Sequence, residues 1–118
     1  MERDPRVYLW DVRQAADEIA QFTVGLDLAR YQANALVRAA IERKFEIIGE
    51  ALNQLSRLAP ALVRRIPHLR RIVGFRNALI HGYARVDSAE VWRTAQEQLP
   101  GLRETVSAML AEMGPPEE

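Results

Sequence analysis

The sequence predicts an all-α protein built as an antiparallel bundle of four to five helices. Apolar residues recur at intervals of three and four along most of the 118 residues, which is the spacing of an amphipathic helix. Asp4 and Asp87 stand where helix-capping side chains are expected. No segment alternates apolar and polar residues between turn signals, so a β-sheet is not expected.

The first helix is predicted to begin at Pro5, with Asp4 as its cap, and to end near Gly25. Its apolar residues are Val7, Leu9, Trp10, Ala15 and Ile19. A long second helix is predicted from about Tyr31 to Leu58, where Pro60 stops it.

The second helix carries two neighbouring apolar stripes. One consists of Leu36, Ala40, Ile47, Ala51 and Leu55, and the other of Phe45, Ile48 and Leu52. Together they are wider than one core-facing stripe, so we expect this helix to pack against a second surface as well as the core.

A third helix is predicted to start after Pro67 and to reach His81, with Gly82 placed to end it. At 100° per residue, its core-facing stripe consists of Ile72, Phe75 and Leu79. The fourth helix is predicted to open with the capping-box spacing of Asp87 to Glu90 and to bury Val91, Trp92, Ala95 and Leu99. Pro100 should bend or break it before a continuation through Leu102, Val106 and Leu110.

Composition narrows the class of protein. We expect a single helical domain over residues 1–113 and a disordered tail over residues 114–118. The sequence has no cysteine and only two histidines, so we expect no disulfide, no metal site and no cofactor. Without an apolar run of about 20 residues or an apolar leader, a soluble cytoplasmic protein with no membrane partner is expected.

Charge is unevenly distributed along the formally neutral chain. Residues 51–86 contain no aspartate or glutamate but hold seven arginines and both histidines, which leaves nine positive and 16 negative charges elsewhere. Such a segment suits a phosphate-bearing partner, above all RNA. Its candidate RNA-binding side chains are Arg64, Arg65, Arg70 and Arg71. The alternative is an ordinary solvated face, or a face that pairs with an acidic neighbour.

The basic segment ends in a group of polar side chains. On the helical wheel, Asn77 and His81 fall together opposite the core stripe, and Arg76 lies between, in the direction to which Tyr83 would return. Each residue has a simpler role available. Arg76 could pair with Glu90, His81 could cap carbonyl groups, Asn77 could be a polar surface residue, and Tyr83 could pack at an edge.

Arg76-Asn77 followed by His81-Gly82-Tyr83 resembles the Arg-polar-x3-His-x-Tyr motif of HepT-like proteins of the HEPN superfamily. These are toxins paired with a minimal nucleotidyltransferase antitoxin of the MNT type. The likeness extends from about Tyr8 to Leu110 and includes segments 45–51, 72–77, 86–92 and 99–102. One departure is Leu69, where the family pattern has tryptophan.

This resemblance implies a HEPN-like, dimeric fold and a metal-independent endoribonuclease. Arg76 would polarise the scissile phosphate, His81 would transfer protons, and Asn77 would orient His81 or bind the phosphate. A homodimer would bring two copies of Arg76 and His81 into one cleft, and the two-striped second helix is a candidate dimer face. The resemblance also implies that the antitoxin transfers AMP to Tyr83, which would block the RNA cleft.

A second class of function stays open. The chain could be a non-catalytic helical module that forms a complex with a nucleotidyltransferase. Arg76 and His81 would then hold a nucleotide or shape the interface. A dimeric domain with a purely structural role is the third possibility.

Overall fold

The computed structural model describes residues 4–81 and 87–114. Within these ranges every regular element is a helix, which confirms the predicted all-α class. The elements are α1 Pro5–Phe22, α2 Leu28–Ala33, α3 Ala35–Leu58, α4 Pro60–Val63, α5 Leu69–His81, α6 Ser88–Glu97 and α7 Leu99–Met113. Five of them have ten or more residues, in line with the predicted four to five, and the short α2 and α4 were not predicted.

Helix α1 begins as predicted. The Asp4 carboxylate accepts a hydrogen bond from the backbone N–H of Arg6 at 2.9 Å, and Pro5 occupies the first turn. The helix ends at Phe22, before the predicted Gly25, which has a φ of 77° in the turn that follows. Its buried face consists of Leu9, Val12, Ala15, Ala16 and Ile19. Trp10 is 46% exposed, so it is not part of the core.

The predicted helix from Tyr31 to Leu58 is wrong as a single element, because it is interrupted at Asn34. The backbone of Asn34 is extended, and its side chain accepts a hydrogen bond from Val37 N–H at 3.1 Å. An asparagine side chain that caps a following helix competes with continuation of the preceding one. The stop at the other end is confirmed, since α3 ends at Leu58 and Pro60 starts α4.

Helix α3 lies at the centre of the fold, between α1 and α5. Its pairing with α1 is antiparallel. Lys44 of α3 pairs with Glu18 in the second half of α1 at 3.1 Å, whereas Gln54, later in α3, lines the same cleft as Tyr8 near the start of α1. Helix α7 is also antiparallel to α1, because Arg103 pairs with Asp17 while Leu110 lies beside Trp10.

The two apolar stripes of α3 differ in burial. Phe45, Ile48 and Leu52 are fully buried, and Ala51 and Leu55 of the other stripe are buried with them. The rest of that stripe is more open, since Leu36 is 81% exposed and Ala40 and Ile47 are half-buried. Part of the wide apolar face of α3 is therefore left at the surface of the single chain, where the second packing partner was expected.

The second half of the chain follows the predicted pattern. Helix α5 begins at Leu69 and buries Ile72 and Leu79, while Phe75 is partly buried against the core. Asp87 caps α6 through hydrogen bonds from two backbone amides, and Gln98 separates α6 from α7, with Pro100 in the first turn of α7. The core side chains of this half include Val91, Ala95, Leu99, Leu102, Val106 and Leu110, whereas Trp92 is half-buried.

Two predictions concern residues that lie outside the described ranges. The helix stop at Gly82 is one of them. The other is the tail, of which only Gly114 is described, as the residue that follows the end of α7. Both stay predictions.

Candidate functional site

Helices α3 and α5 approach each other closely where Gly49 meets Arg76. Gly49 is buried, and a Cβ atom added there would lie 2.6 Å from Arg76 Cγ and closer still to Arg76 Cβ. No larger residue fits at position 49 without moving one of the helices. This contact places the Cβ and Cγ atoms of Arg76 against the backbone of α3.

An aromatic pair lies next to this crossing. The rings of Phe45 and Phe75 meet edge to face, with centroids 5.3 Å apart and planes inclined by 82°. Such pairs add about 0.5–1.5 kcal/mol beyond the burial of their area. Phe75 directly precedes Arg76, so the pair fixes α5 beside the motif.

The guanidinium group of Arg76 is held by two neighbours. Its Nη2 donates a short hydrogen bond to Glu50 Oε2 in an ion pair, and its Nη1 donates to Asn77 Oδ1 at 2.7 Å. The other carboxylate oxygen of Glu50 accepts a hydrogen bond from Gln54 Nε2 at 3.0 Å. The Arg76 side chain is only 21% exposed, and its Nε is buried without a hydrogen-bond partner among the described residues. Arg76 is therefore an ordered, half-buried cation.

Arg76 opens onto a cleft of about 620 Å³ between α1, α3 and α5. The described lining holds the acidic side chains of Asp11, Glu46 and Glu50 and the basic side chains of Arg43 and Arg76. Its apolar part includes Ile47 and Ile80, and Ile80 is 47% exposed. The cleft thus combines a motif arginine with the open apolar face of α3.

His81 is the last residue of α5, and its side chain is exposed. It lies five residues after Arg76, or about 7.5 Å further along the helix axis at 1.5 Å per residue. Asn77, one turn before His81, is exposed as well. Tyr83 lies outside the described residues, so its predicted position is not tested.

The four arginines predicted to bind RNA are all exposed, but only two have no ion pair within the described ranges. Arg65 donates to both carboxylate oxygens of Glu112 at 2.9 and 2.6 Å, and these hydrogen bonds lower the pKa of Glu112. Arg71 lies 3.7 Å from a carboxylate oxygen of Glu90. Arg64 and Arg70 have no such partner in the part of the chain that is described. The basic segment is thus partly neutralised by α6 and α7.

The family of this chain follows from comparison with known proteins. The family model described as "Ribonuclease HepT-like" matches residues 12–109, which is most of the chain. The chain belongs to the HepT-like ribonuclease family. The predicted membership of the HepT-like family is therefore confirmed. No solved structure matches the chain.

Named relatives cover this HepT-like chain almost completely. A protein of Methanocaldococcus jannaschii named "Putative RNase" is 30% identical over 105 residues, which are 89% of this chain and 95% of the relative. A second protein with that name from the same organism is 30% identical over 115 residues, 95% of this chain and 96% of the relative. A "Probable ribonuclease HepT" of Thermococcus cleftensis is 32% identical over 103 residues, 87% of this chain and 93% of the relative.

Reasoning from the sequence of this HepT-like chain missed Glu50 and Gln54 as neighbours of Arg76. Glu50 belongs to the segment 45–51 that contributes to the family likeness, but the sequence predicted no role for it. One signal was available, because an isolated glycine inside a helical pattern, here Gly49, often marks a close approach of another element. The alternative in which Arg76 pairs with Glu90 is wrong, because Arg76 pairs with Glu50 and Glu90 pairs with Arg71.

Residues 4–81 and 87–114 of the HepT-like chain contain neither a candidate metal site nor a candidate membrane span. Across these ranges, no group of three histidine, cysteine, aspartate or glutamate side chains is arranged to hold a metal ion. No helix described there combines the length and apolar character needed to span a membrane.

Proposed function

We propose that this HepT-like chain is a metal-independent endoribonuclease and the toxin of a toxin–antitoxin pair. The observation that carries the proposal is the side chain of Arg76, held half-buried at the edge of a cleft on the same helix as the exposed Asn77 and His81. Membership of a ribonuclease family and relatives named as ribonucleases support this reading.

The chemistry is intramolecular attack of an RNA 2′-hydroxyl on the adjacent phosphorus. The new O–P bond forms as the bond to the 5′-oxygen breaks, which leaves a 2′,3′-cyclic phosphate and a free 5′-hydroxyl. One group must remove the proton from the 2′-hydroxyl and another must protonate the leaving 5′-oxygen. An imidazole can fill either role, and the Arg76 guanidinium stabilises the negative charge that builds up on the phosphorane oxygens.

A homodimer supplies the second imidazole. Each chain has one histidine in the motif, and a two-fold axis beside α5 would bring two copies of Arg76 and His81 to one cleft. The open apolar face of α3 and the exposed Ile80 at the cleft are the surfaces that a second copy would cover. Isologous contact of this kind buries the same patch on both subunits.

RNA would approach along the basic segment. Arg64 and Arg70 are exposed without a carboxylate partner in the described part of the chain, so they are the strongest candidates for phosphate contacts. Arg65 and Arg71 would have to exchange Glu112 and Glu90 for phosphate. Phosphate contacts of this kind give affinity and salt dependence but no sequence preference.

The proposed antitoxin is a nucleotidyltransferase of the MNT type that transfers AMP to Tyr83. Tyr83 follows His81 by two residues, so an added adenylate would bring bulk and negative charge beside the imidazole. A phosphate already attached there would repel substrate phosphate and occupy its space. This step would explain how the nuclease is neutralised.

The alternative function is a non-catalytic helical module that binds a nucleotidyltransferase. The ion pair between Arg76 and Glu50 favours it to some degree, because a paired arginine can serve a structural role. Cleavage activity separates the two readings.

The experiment is an RNA-cleavage assay with purified protein in excess chelator, comparing wild type with Arg76→Ala, Arg76→Lys and His81→Ala. We expect cleavage by wild type, none by His81→Ala, and little by Arg76→Lys, since a lysine keeps the charge but not the planar fork. The control is His68→Asn, which changes the other histidine, exposed and at a φ of 59° that asparagine tolerates. Equal cleavage by wild type and His81→Ala would overturn the mechanism, and cleavage only with added divalent ions would indicate a metal nuclease.

A further inference from the structure

We propose that Glu50 is the positioning residue of the site: it fixes the plane of the Arg76 guanidinium for the scissile phosphate without occupying the N–H groups that the phosphate needs. The proposal rests on the proposed ribonuclease function and deepens it. It starts from the chain of hydrogen bonds that runs from Gln54 through Glu50 to Arg76 and on to Asn77.

Glu50 binds Arg76 through only one of its two carboxylate oxygens. A carboxylate beside an arginine commonly uses both oxygens and takes two parallel N–H groups. Here one oxygen of Glu50 is engaged by Gln54 Nε2 at 3.0 Å, and only Oε2 accepts from Arg76 Nη2. Glu50 thus takes a single N–H of the five that a guanidinium offers.

The orientation of the Arg76 guanidinium is set by two acceptors, Glu50 and Asn77. Asn77 Oδ1 accepts from Nη1 at 2.7 Å, on the other terminal nitrogen. Two acceptors on two different nitrogens fix the guanidinium plane, whereas one acceptor would leave it free to rotate. The contact between Gly49 and Arg76 Cβ fixes the start of the same side chain. The group is therefore preorganised at both ends, and one N–H remains on each terminal nitrogen.

Glu50 also brings a negative charge to Arg76. In the absence of RNA, the Glu50 carboxylate neutralises the positive charge of Arg76. It therefore weakens the attraction of Arg76 for phosphate while it improves the orientation of the guanidinium. The two effects predict opposite changes in two kinetic constants. Loss of orientation lowers kcat, because misplacement by about 1 Å can cost up to about 100-fold. Loss of the negative charge lowers KM, since the competing carboxylate is gone.

Three variants separate these effects. Glu50→Ala removes both the charge and the acceptor, whereas Glu50→Gln removes the charge but keeps an amide oxygen for Nη2, because Gln54 can turn its own amide to accept from the new NH2 group. Glu42→Ala is the matched control, since Glu42 is another carboxylate of α3 and lies outside the described lining of the cleft.

We expect kcat to fall about 10- to 100-fold in Glu50→Ala and to stay close to that of wild type in Glu50→Gln and Glu42→Ala. KM for RNA should fall in both Glu50 variants. If kcat of Glu50→Ala equals that of Glu42→Ala, the positioning role is wrong although the ribonuclease function stands. If Glu50→Gln loses as much kcat as Glu50→Ala, the charge and not the acceptor is what matters, and the proposal is also wrong.

A second measurement does not depend on cleavage. The Nε–H of Arg76 is buried, so this proton should exchange slowly with water in wild type and in Glu50→Gln and give a sharp NMR cross-peak. The cross-peak is assigned by its absence in Arg76→Lys. It should broaden or vanish in Glu50→Ala. If wild type cleaves no RNA, the ribonuclease function fails, while this cross-peak still decides whether Glu50 holds the guanidinium. An unchanged cross-peak in Glu50→Ala would refute that role.

Discussion

The ring of Tyr31 lies against the ring of Trp92, with centroids 5.3 Å apart and planes inclined by 36°. This contact joins α2 to α6. Tyr31 is fully buried, and its hydroxyl has no hydrogen-bond partner among the described residues. Burial raises the pKa of Tyr31 to about 12.

The unpaired hydroxyl predicts that Tyr31→Phe is more stable than wild type. The variant keeps the ring that packs on Trp92 and removes a buried polar group, so we expect a gain of about 1 kcal/mol in the free energy of unfolding at neutral pH. Urea denaturation measures it. Trp92→Phe is the control, since it changes the other ring without removing an unpaired hydroxyl, and it should lose stability.

The same tyrosine predicts a dependence on alkaline pH. A raised pKa means that the unfolded chain releases the Tyr31 proton first, from its ordinary value of 10.0. Stability is then fully present below pH 10 and is lost as the pH rises toward the folded value of about 12, by at most about 3 kcal/mol. Tyr31→Phe should lack this part of the decline, and equal slopes for both proteins above pH 10 would contradict the assignment.

Two glycines predict opposite effects of the same substitution. Gly49→Ala should destabilise by about 1–3 kcal/mol, because the new methyl group meets Arg76 Cβ and forces α3 and α5 apart. Gly74→Ala should stabilise by about 0.5–1 kcal/mol, since nothing lies within 4 Å of the added atom and alanine favours the helix. Urea denaturation of the pair tests the crossing, and equal effects would contradict the close approach.

The exposed arginines predict how RNA binds. In a His81→Ala background that does not cleave, Arg64→Glu combined with Arg70→Glu should weaken RNA binding and flatten its dependence on salt, because fewer counterions are released. Arg30→Glu is the control, as a charge reversal on α2, outside residues 51–86. Unchanged binding would show that the basic segment is an ordinary solvated face or a site for the antitoxin.

The open face of α3 predicts a dimer at micromolar concentration with two His81 side chains at a common cleft. Ile80→Glu should produce folded monomers without nuclease activity, because a dimer would have to bury the new carboxylate. Val24→Glu, at a 77% exposed position in the turn after α1, should remain dimeric. Light scattering decides, and a monomeric wild type or a dimeric Ile80→Glu would refute this interface.

Tyr83 is the predicted target of the antitoxin. Co-expression with the cognate nucleotidyltransferase should add the mass of one or more adenylates to wild type and none to Tyr83→Phe. The variant should keep nuclease activity, because the phenol transfers no proton in this scheme, and it should escape neutralisation. Adenylate mapped to Tyr8 or Tyr31, or an inactive Tyr83→Phe protein, would remove Tyr83 from this role.

The sequence predicted the parts of the fold that depend on local signals. Asp4 and Asp87 cap helices through their own neighbours along the chain, and Pro60 and Pro100 act on their own turns, so their effects could be read directly. The break at Asn34 was missed because an asparagine can also continue a helix, and only the turned-back side chain distinguishes the two cases.

The surroundings of the motif were less predictable. Arg76, Asn77 and His81 lie on one helix, so their spacing along the sequence was enough to select them as candidates. Glu50 and Arg76 are 26 residues apart, and Arg65 and Glu112 are 47 residues apart. No periodicity within either helix specifies such a contact, because it depends on the angle and register at which two helices meet.

The packing of α1 against α7 has a consequence during synthesis. Leu9, Val12 and Ile19 of α1 emerge from the ribosome early, yet α7, one of the helices that cover α1, is translated after all the others described. Until then this apolar face of α1 lacks the cover that α7 gives it, so the nascent chain exposes part of its core. The complete core therefore forms only after α7 has been translated and has docked on α1.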